Sequence, residues 1–86
     1  EYVGYCDSSI GPIWKTFPND NIEMSGPSVD CLVWCKDQMK ISPEKNITCC
    51  DYDGSWCYAM QDAIVTGADG TEKAICWALN GKDYKT

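Results

Sequence analysis

The sequence contains no histidine among its 86 residues. Serine and cysteine nucleophiles depend on a neighbouring base, which is histidine in the common triads. Zinc sites recruit histidine or use paired Cys-x-x-Cys knuckles, and the sequence has neither. The close carboxylates of Asp51 and Asp53 are interpreted as part of a solvated turn rather than as an acid–base pair. We therefore expect no catalytic residue, no metal site and no cofactor, and we predict that the protein is not an enzyme.

Basic residues are scarce, and long apolar runs are missing. Seven Lys and Arg stand against thirteen Asp and Glu, which gives a net charge of −6. Nucleic acids and anionic membrane surfaces attract clusters of basic residues, so we expect neither as a partner. The longest apolar run, residues 31–35, is far too short to span a bilayer. The acidic balance is compatible with a basic partner.

Cysteine, in contrast, is abundant. Seven cysteines in 86 residues is about 8% of the chain, close to the level typical of disulfide scaffolds in short secreted proteins. A domain of this size buries too little surface for its core alone to make it stable. The chain also begins at Glu1 without Met, as a processed secretory product would. We expect one secreted, extracellular domain over residues 1–86, with an irregular arm over 1–27 and a cysteine-bridged core over 28–86.

The cysteine spacings limit which bridges form. Helical spacing places Cys31 and Cys35 side by side, so both are expected to bridge to two of three downstream cysteines. Those three are Cys49, Cys50 and Cys57. A vicinal pair such as Cys49-Cys50 does not close easily on itself, and it usually ties one point of the backbone to two different elements. An odd count leaves one cysteine outside the intramolecular bridges, and Cys6 or Cys76 is favoured. That residue is either buried and inert, joined to a second copy of the chain, or functional.

One helix is predicted clearly. Leu32, Cys35 and Met39 recur at helical spacing, which predicts a helix over residues 29–41. Ser28 is its expected cap, and Pro43 follows its end. Residues 1–27 are rich in Gly and Pro, so we expect irregular structure there, with a short strand at about 13–17.

The C-terminal half supports two interpretations. Five alanines between residues 59 and 78 favour helices over 56–66 and 72–79, and the protein is then mainly α, with about three short helices. The alternative is an α+β fold, in which one helix packs on an antiparallel β-meander. Asp53-Gly54 and Asp69-Gly70 are good hairpin turns in that case. Cys50 and Cys57 then lie opposite each other across the first hairpin, facing the helix.

Four tryptophans and five tyrosines are many for a chain of this length. Most are expected to supply the core of a small domain. The candidates for contact with a partner are Trp14, Trp77, Tyr2 and Tyr5. The triplet Asn46-Ile47-Thr48 is a sequon, so Asn46 is a candidate N-glycosylation site.

The small, acidic, cysteine-rich chain with its Cys31-x-x-x-Cys35 helix is similar in overall profile to the secreted mating pheromones of ciliates. That resemblance implies a disulfide-linked three-helix bundle that binds cell-surface receptors and self-associates. We therefore expect a secreted, non-enzymatic binding protein, an extracellular signal that is recognised by a protein receptor and self-associates through the odd cysteine. Two alternatives stay open: a secreted toxin or effector of the killer-toxin type, and a small carbohydrate-binding module that uses Trp14 or Trp77 as a stacking platform.

Overall fold

Strands and one long helix make up most of the residues that the structure, a computed structural model, describes: 2–17, 27–66 and 74–79. In chain order they are β1 (Tyr2–Val3), β2 (Tyr5–Asp7), β3 (Pro12–Thr16), α1 (Pro27–Ile41), a 3-10 helix (Pro43–Lys45), β4 (Ile47–Tyr52), β5 (Trp56–Gln61), β6 (Ile64–Thr66) and β7 (Ile75–Ala78).

The strands form two antiparallel sheets. The larger sheet has five strands in the order β1-β7-β4-β5-β3, so β4 is central and β3 lies at one edge. The smaller sheet is the pair β2-β6. Helix α1 packs on one face of the larger sheet, where Cys35 and Cys50 share a core cluster with Ile47. Strands β2 and β6 cover part of the other face, where Cys6 and Val65 pack against Cys49.

The predicted helix is confirmed, with bounds that differ by two residues at the start. Helix α1 begins at Pro27, so Ser28 lies inside the first turn rather than at the cap. Proline is common at the start of a helix, because the first N–H groups have no partner within it. Within the described residues, no helix is long and apolar enough to cross a membrane.

The mainly α interpretation is wrong, and the α+β class of the alternative is confirmed. The expected meander is wrong, because β7 pairs with β4 and β6 pairs with β2 in the smaller sheet. Residues 56–66 form β5 and β6 instead of a helix, and the expected helix over 72–79 is replaced by β7, with 72–73 outside the described residues. In β5, the fully buried Cys57 and Ala59 alternate with more exposed neighbours, which is the period of a strand. Alanine's helical preference amounts to less than about 1 kcal/mol per residue, so pairing with β4 and β3 on either side overrides it.

The first hairpin of the alternative interpretation is present, and its turn explains why. Cys50 and Cys57 do not lie opposite each other across it, because Cys50 pairs with Ala59 and Cys57 pairs with Tyr52. Gly54 has a φ of 103°, a left-handed value that side chains rarely adopt. The Asp53 carboxylate accepts hydrogen bonds from the backbone N–H groups of Ser55 (2.9 Å) and Trp56 (2.7 Å). Aspartate is favoured in turns because its side chain can replace backbone acceptors in this way. The second expected turn, Asp69-Gly70, lies outside the described residues.

The N-terminal arm is more regular than expected. Residues 2–3, 5–7 and 12–16 form β1, β2 and β3, which pair with distant strands, so an irregular arm is wrong for this part of 1–27. The short strand expected at about 13–17 corresponds to β3. The rest of the arm, 18–26, lies outside the described residues. Glycine and proline indicated breaks in the chain, but they do not reveal pairings across more than 40 residues.

Three disulfides connect these layers. They are Cys6–Cys49, Cys31–Cys57 and Cys35–Cys50. The two helical cysteines thus bridge to two of the three partners expected for them. Neighbouring residues of a strand point to opposite faces, so Cys49 reaches β2 while Cys50 reaches α1. Cys76, one of the two residues favoured for the odd position, is buried and takes part in none of the three bridges.

Intact mass spectrometry checks this framework. Each of the three bridges removes two hydrogens, so the unreduced monomer is expected to weigh six hydrogens less than the reduced chain. A thiol reagent is expected to label the native protein slowly and to add one label after unfolding without reduction, because Cys76 is buried. A mass equal to that of the reduced chain, or a doubled mass, would contradict this assignment.

Candidate binding site

The pairing of β3 with β5 places several large aromatic side chains on one face of the sheet. Trp14 lies directly opposite Tyr58, and Thr16 lies opposite Trp56. Trp56 and Tyr58 are two positions apart in β5, so they share a face. Side chains diagonal to each other across two strands are within reach of large rings. Trp14 therefore lies beside both aromatic residues of β5.

We name this site the aromatic cleft and define it by its four lining residues: Pro12, Trp14, Trp56 and Tyr58. The cleft has a volume of about 350 Å³. The ring centroids of Trp14 and Trp56 are 4.8 Å apart, and the rings meet at 77°, so the two indoles form a corner rather than a flat surface. Trp14 is 58% exposed and Trp56 is 36% exposed. Side chains of this size and exposure are available to a ligand.

One carboxylate lies beside the cleft. The Tyr58 hydroxyl donates a hydrogen bond to Oδ2 of Asp53 at 3.3 Å, while Oδ1 of Asp53 accepts the two backbone N–H groups of the turn. Burial raises the pKa of Tyr58 above its usual 10.0, and the negative charge of Asp53 raises it further, with a smaller effect from Asp51. The cleft thus combines apolar rings with a fixed negative charge.

Asp51 lies on the same face of the sheet, one strand further in. It pairs with Tyr58 in the register, and its Oδ2 accepts a hydrogen bond from the Cys6 N–H at 3.3 Å. Among the described residues, its buried Oδ1 has no hydrogen-bond partner. Burial raises the pKa of Asp51 from 3.8 to about 6. The interpretation of Asp51 as part of a solvated turn is therefore wrong, because β4 is central and covered on both faces.

The basic residue of β3 faces away from the cleft. Lys15 lies opposite Cys57, and Cys57 points toward α1. The ammonium group of Lys15 lies 5.3 Å from the centre of the Phe17 ring. Since successive residues of a strand alternate between faces, Lys15 and Trp14 lie on opposite sides of the sheet.

No family model, curated protein or solved structure matches this chain. The likeness to ciliate pheromones therefore stays a prediction, and the cleft is interpreted from its own geometry. Within the described ranges, no three acidic or cysteine side chains are grouped so that they could hold a metal ion.

The structure separates the residues predicted to contact a partner. Trp14 lies in the aromatic cleft, whereas Trp77 pairs with Cys50, is half-buried and packs against the core on the α1 side. Tyr5 is 47% exposed on β2, and Tyr2 lies in β1. Two aromatic residues of the cleft, Trp56 and Tyr58, were not predicted. Trp56 and Tyr58 are two positions apart, the spacing of residues that share one face of a strand. The helical interpretation of this segment assigned them no common face.

The candidate glycosylation site lies on the surface. Asn46 is exposed and left-handed, with a φ of 50°, and its side-chain nitrogen donates a hydrogen bond to Oδ1 of Asp62. Thr48 of the same triplet is buried, and its hydroxyl donates to the Ala63 carbonyl at 2.6 Å. Glycosylation of Asn46 stays a prediction.

Proposed function

We propose that the protein is a secreted, non-enzymatic binding protein that acts as an extracellular signal, recognised by a protein receptor on a cell surface. Its contact with the receptor is made by the aromatic cleft. The observation that carries this proposal is the pair of exposed indoles, Trp14 and Trp56, at the edge of a rigid sheet. Tryptophan is among the residues most enriched in binding hot spots.

The scaffold supports recognition by rigid presentation. Strand β5, which carries two residues of the cleft, is paired on both sides and bridged to α1 through Cys57. The turn before it is held by the Asp53 carboxylate. Residues that are already ordered lose little entropy on binding, so more of the contact energy appears as affinity.

A carbohydrate-binding module is the second candidate, because exposed tryptophan also stacks on sugar rings. Trp14, at 58% exposure, offers such a surface. The rings of Trp14 and Trp56 meet at 77°, however, so they do not form a coplanar platform for consecutive sugars. A corner is better suited to one compact group, and for this reason we place the protein receptor first.

Replacing Trp14 by alanine tests the proposal. The labelled protein is titrated onto cells of the organism that produces it, and saturable binding without lysis or growth arrest is expected. The Trp14→Ala variant is expected to bind about thirtyfold more weakly, because truncating a hot-spot residue costs about 2 kcal/mol or more. Trp14 is exposed, so the variant should keep its fold.

The matched control is Val33→Ala, which also shortens an exposed apolar side chain, but on α1. It is expected to bind like the parent. Equal loss in both variants, or none in Trp14→Ala, would contradict a role for the cleft. Growth arrest would favour the toxin alternative, and selective binding to a glycan array would favour the carbohydrate module.

A further inference from the structure

The aromatic cleft has the chemical features of a cation site. The faces of aromatic rings carry negative charge density and attract ammonium or guanidinium groups, most strongly when the ring is tryptophan. Two tryptophans and one tyrosine line the cleft. The Asp53 carboxylate lies beside Tyr58, joined to it by the 3.3 Å hydrogen bond. A ligand cation in the corner between the indoles would meet both the ring faces and this charge.

The surrounding charges favour a positive ligand as well. Asp53 and Asp51 both act on Tyr58 electrostatically, and both raise its pKa. Lys15, the basic residue of β3, lies on the opposite face over Phe17, so it does not pair with Asp53 in the cleft. The whole chain has a net charge of −6, which attracts a basic partner over longer distances.

We propose that the aromatic cleft binds the guanidinium group of an arginine in a basic segment of the protein partner. This inference rests on the proposed function and names the chemistry of the group recognised. Arginine fits better than lysine because its flat, weakly hydrated guanidinium stacks on an aromatic face while its edge donates hydrogen bonds to a carboxylate. The corner formed by Trp14 and Trp56 and the adjacent Asp53 supply those two surfaces.

A titration with a matched pair of small probes tests the ligand class directly. The probes are N-acetyl-arginine amide and N-acetyl-citrulline amide, which have nearly the same shape but differ in charge. Nuclear magnetic resonance follows the indole N–H signals of the four tryptophans, assigned with Trp14→Phe and Trp56→Phe. The arginine probe is expected to shift the Trp14 and Trp56 signals and to leave Trp77 unchanged. The citrulline probe should bind about tenfold more weakly, because it lacks both the cation–π attraction and the charge.

Replacing Asp53 by asparagine separates the carboxylate from the rings. The amide oxygen of asparagine can still accept the turn's N–H groups, so the Asp53→Asn variant should keep the hairpin. It is expected to bind the arginine probe about threefold more weakly, because a single exposed ion pair changes affinity only a few fold. Its affinity for the citrulline probe is expected to be unchanged. The control is Asp37→Asn, the same change of charge on the exposed surface of α1.

The outcomes separate this inference from the proposed function. Equal binding of both probes, or signal shifts with cello-oligosaccharides or phosphocholine but not with the arginine probe, would overturn the guanidinium assignment. If Trp14→Ala still loses cell binding in that case, the cleft remains the contact site and only the ligand class is wrong. If the arginine probe binds as expected but Trp14→Ala binds cells normally, the proposed function fails instead.

Discussion

Replacing Cys6 and Cys49 together by alanine is expected to lower the free energy of unfolding more than removing either of the other bridges. This disulfide closes a loop with a sequence separation of 43, against 26 for Cys31–Cys57 and 15 for Cys35–Cys50. A cross-link stabilises mainly by limiting the unfolded chain, and the benefit grows with the logarithm of the loop length. The expected losses are about 4, 3.5 and 3 kcal/mol in that order.

A second effect, the attachment of α1 to the sheet, predicts a different order of stability among the three variants. Helix α1 buries Cys31 and Cys35 completely, while its apolar Val33 and Ile41 are exposed. Its two bridges attach the helix to the sheet, together with the packing of Leu32, Trp34 and Met39 on the core. If the attachment of α1 contributes more to the free energy of unfolding than the loop length does, the Cys35→Ala/Cys50→Ala variant will be the least stable of the three.

Chemical unfolding of the three double variants measures these losses. Cys76→Ala is the control, because it removes a buried cysteine that takes part in none of the three bridges. Its expected loss is about 1 kcal/mol, as for a cavity the size of a methyl group. A loss from Cys6→Ala/Cys49→Ala no larger than that of Cys76→Ala would contradict the bridge or its contribution to stability.

Asp51 is expected to make the domain less stable as the pH rises through the acidic range. Burial raises its pKa from the ordinary value of 3.8 to about 6. The folded state therefore holds a proton on Asp51 at pH values where the unfolded state has already lost it. By linkage, this contribution to stability is complete below the unfolded pKa of 3.8 and is lost as the pH rises through about 6.

The size of this effect follows from the difference between the two pKa values. One pKa unit corresponds to about 1.36 kcal/mol, so the full contribution amounts to about 3 kcal/mol, and most of it is lost between about pH 4 and pH 7. In the Asp51→Asn variant, the amide oxygen can still accept the Cys6 N–H, but the group does not ionise. Relative to the parent, the variant is expected to gain about 2 to 3 kcal/mol over this pH range.

Thermal and chemical unfolding of parent and variant at several pH values tests this prediction. The difference in unfolding free energy is the decisive quantity, because the other ionising groups are common to both proteins. Asp37→Asn, on the exposed surface of α1, controls for the change in net charge. If the difference between Asp51→Asn and the parent is the same at about pH 4 and about pH 7, Asp51 is not a buried carboxyl with a raised pKa.

Parts of this fold could be predicted because local patterns specify them. The repeat of Leu32, Cys35 and Met39 indicated α1, and Asp53-Gly54 indicated a tight turn. The vicinal Cys49-Cys50 pair indicated one backbone segment joined to two layers, and the bridges to Cys6 and Cys35 join it in this way. In each case the signal lies within a few residues, where the chain's own geometry decides which side chains share a face.

The aromatic cleft could be predicted only in part. Trp14 was a candidate because it lies beside Pro12 in the arm that was expected to be irregular. Trp56 and Tyr58 were missed, because residues two positions apart lie on different faces of a helix but on the same face of a strand. Trp77 looked equivalent to Trp14 in the sequence, yet it packs toward α1, since it pairs with Cys50, which bridges to that helix.

By itself, the sequence determined the size class, the acidic charge, the high cysteine content, the position of α1 and the lack of histidine. The tertiary structure decided that residues 56–66 are strands, that β3 pairs with β5 to assemble the cleft, and that Asp51 is buried. The physical reason is the range of the interactions. Helical periodicity and turns act over a few residues, whereas strand pairing and burial depend on partners far away in the chain, and here those partners outweigh the weak local preference of alanine for a helix.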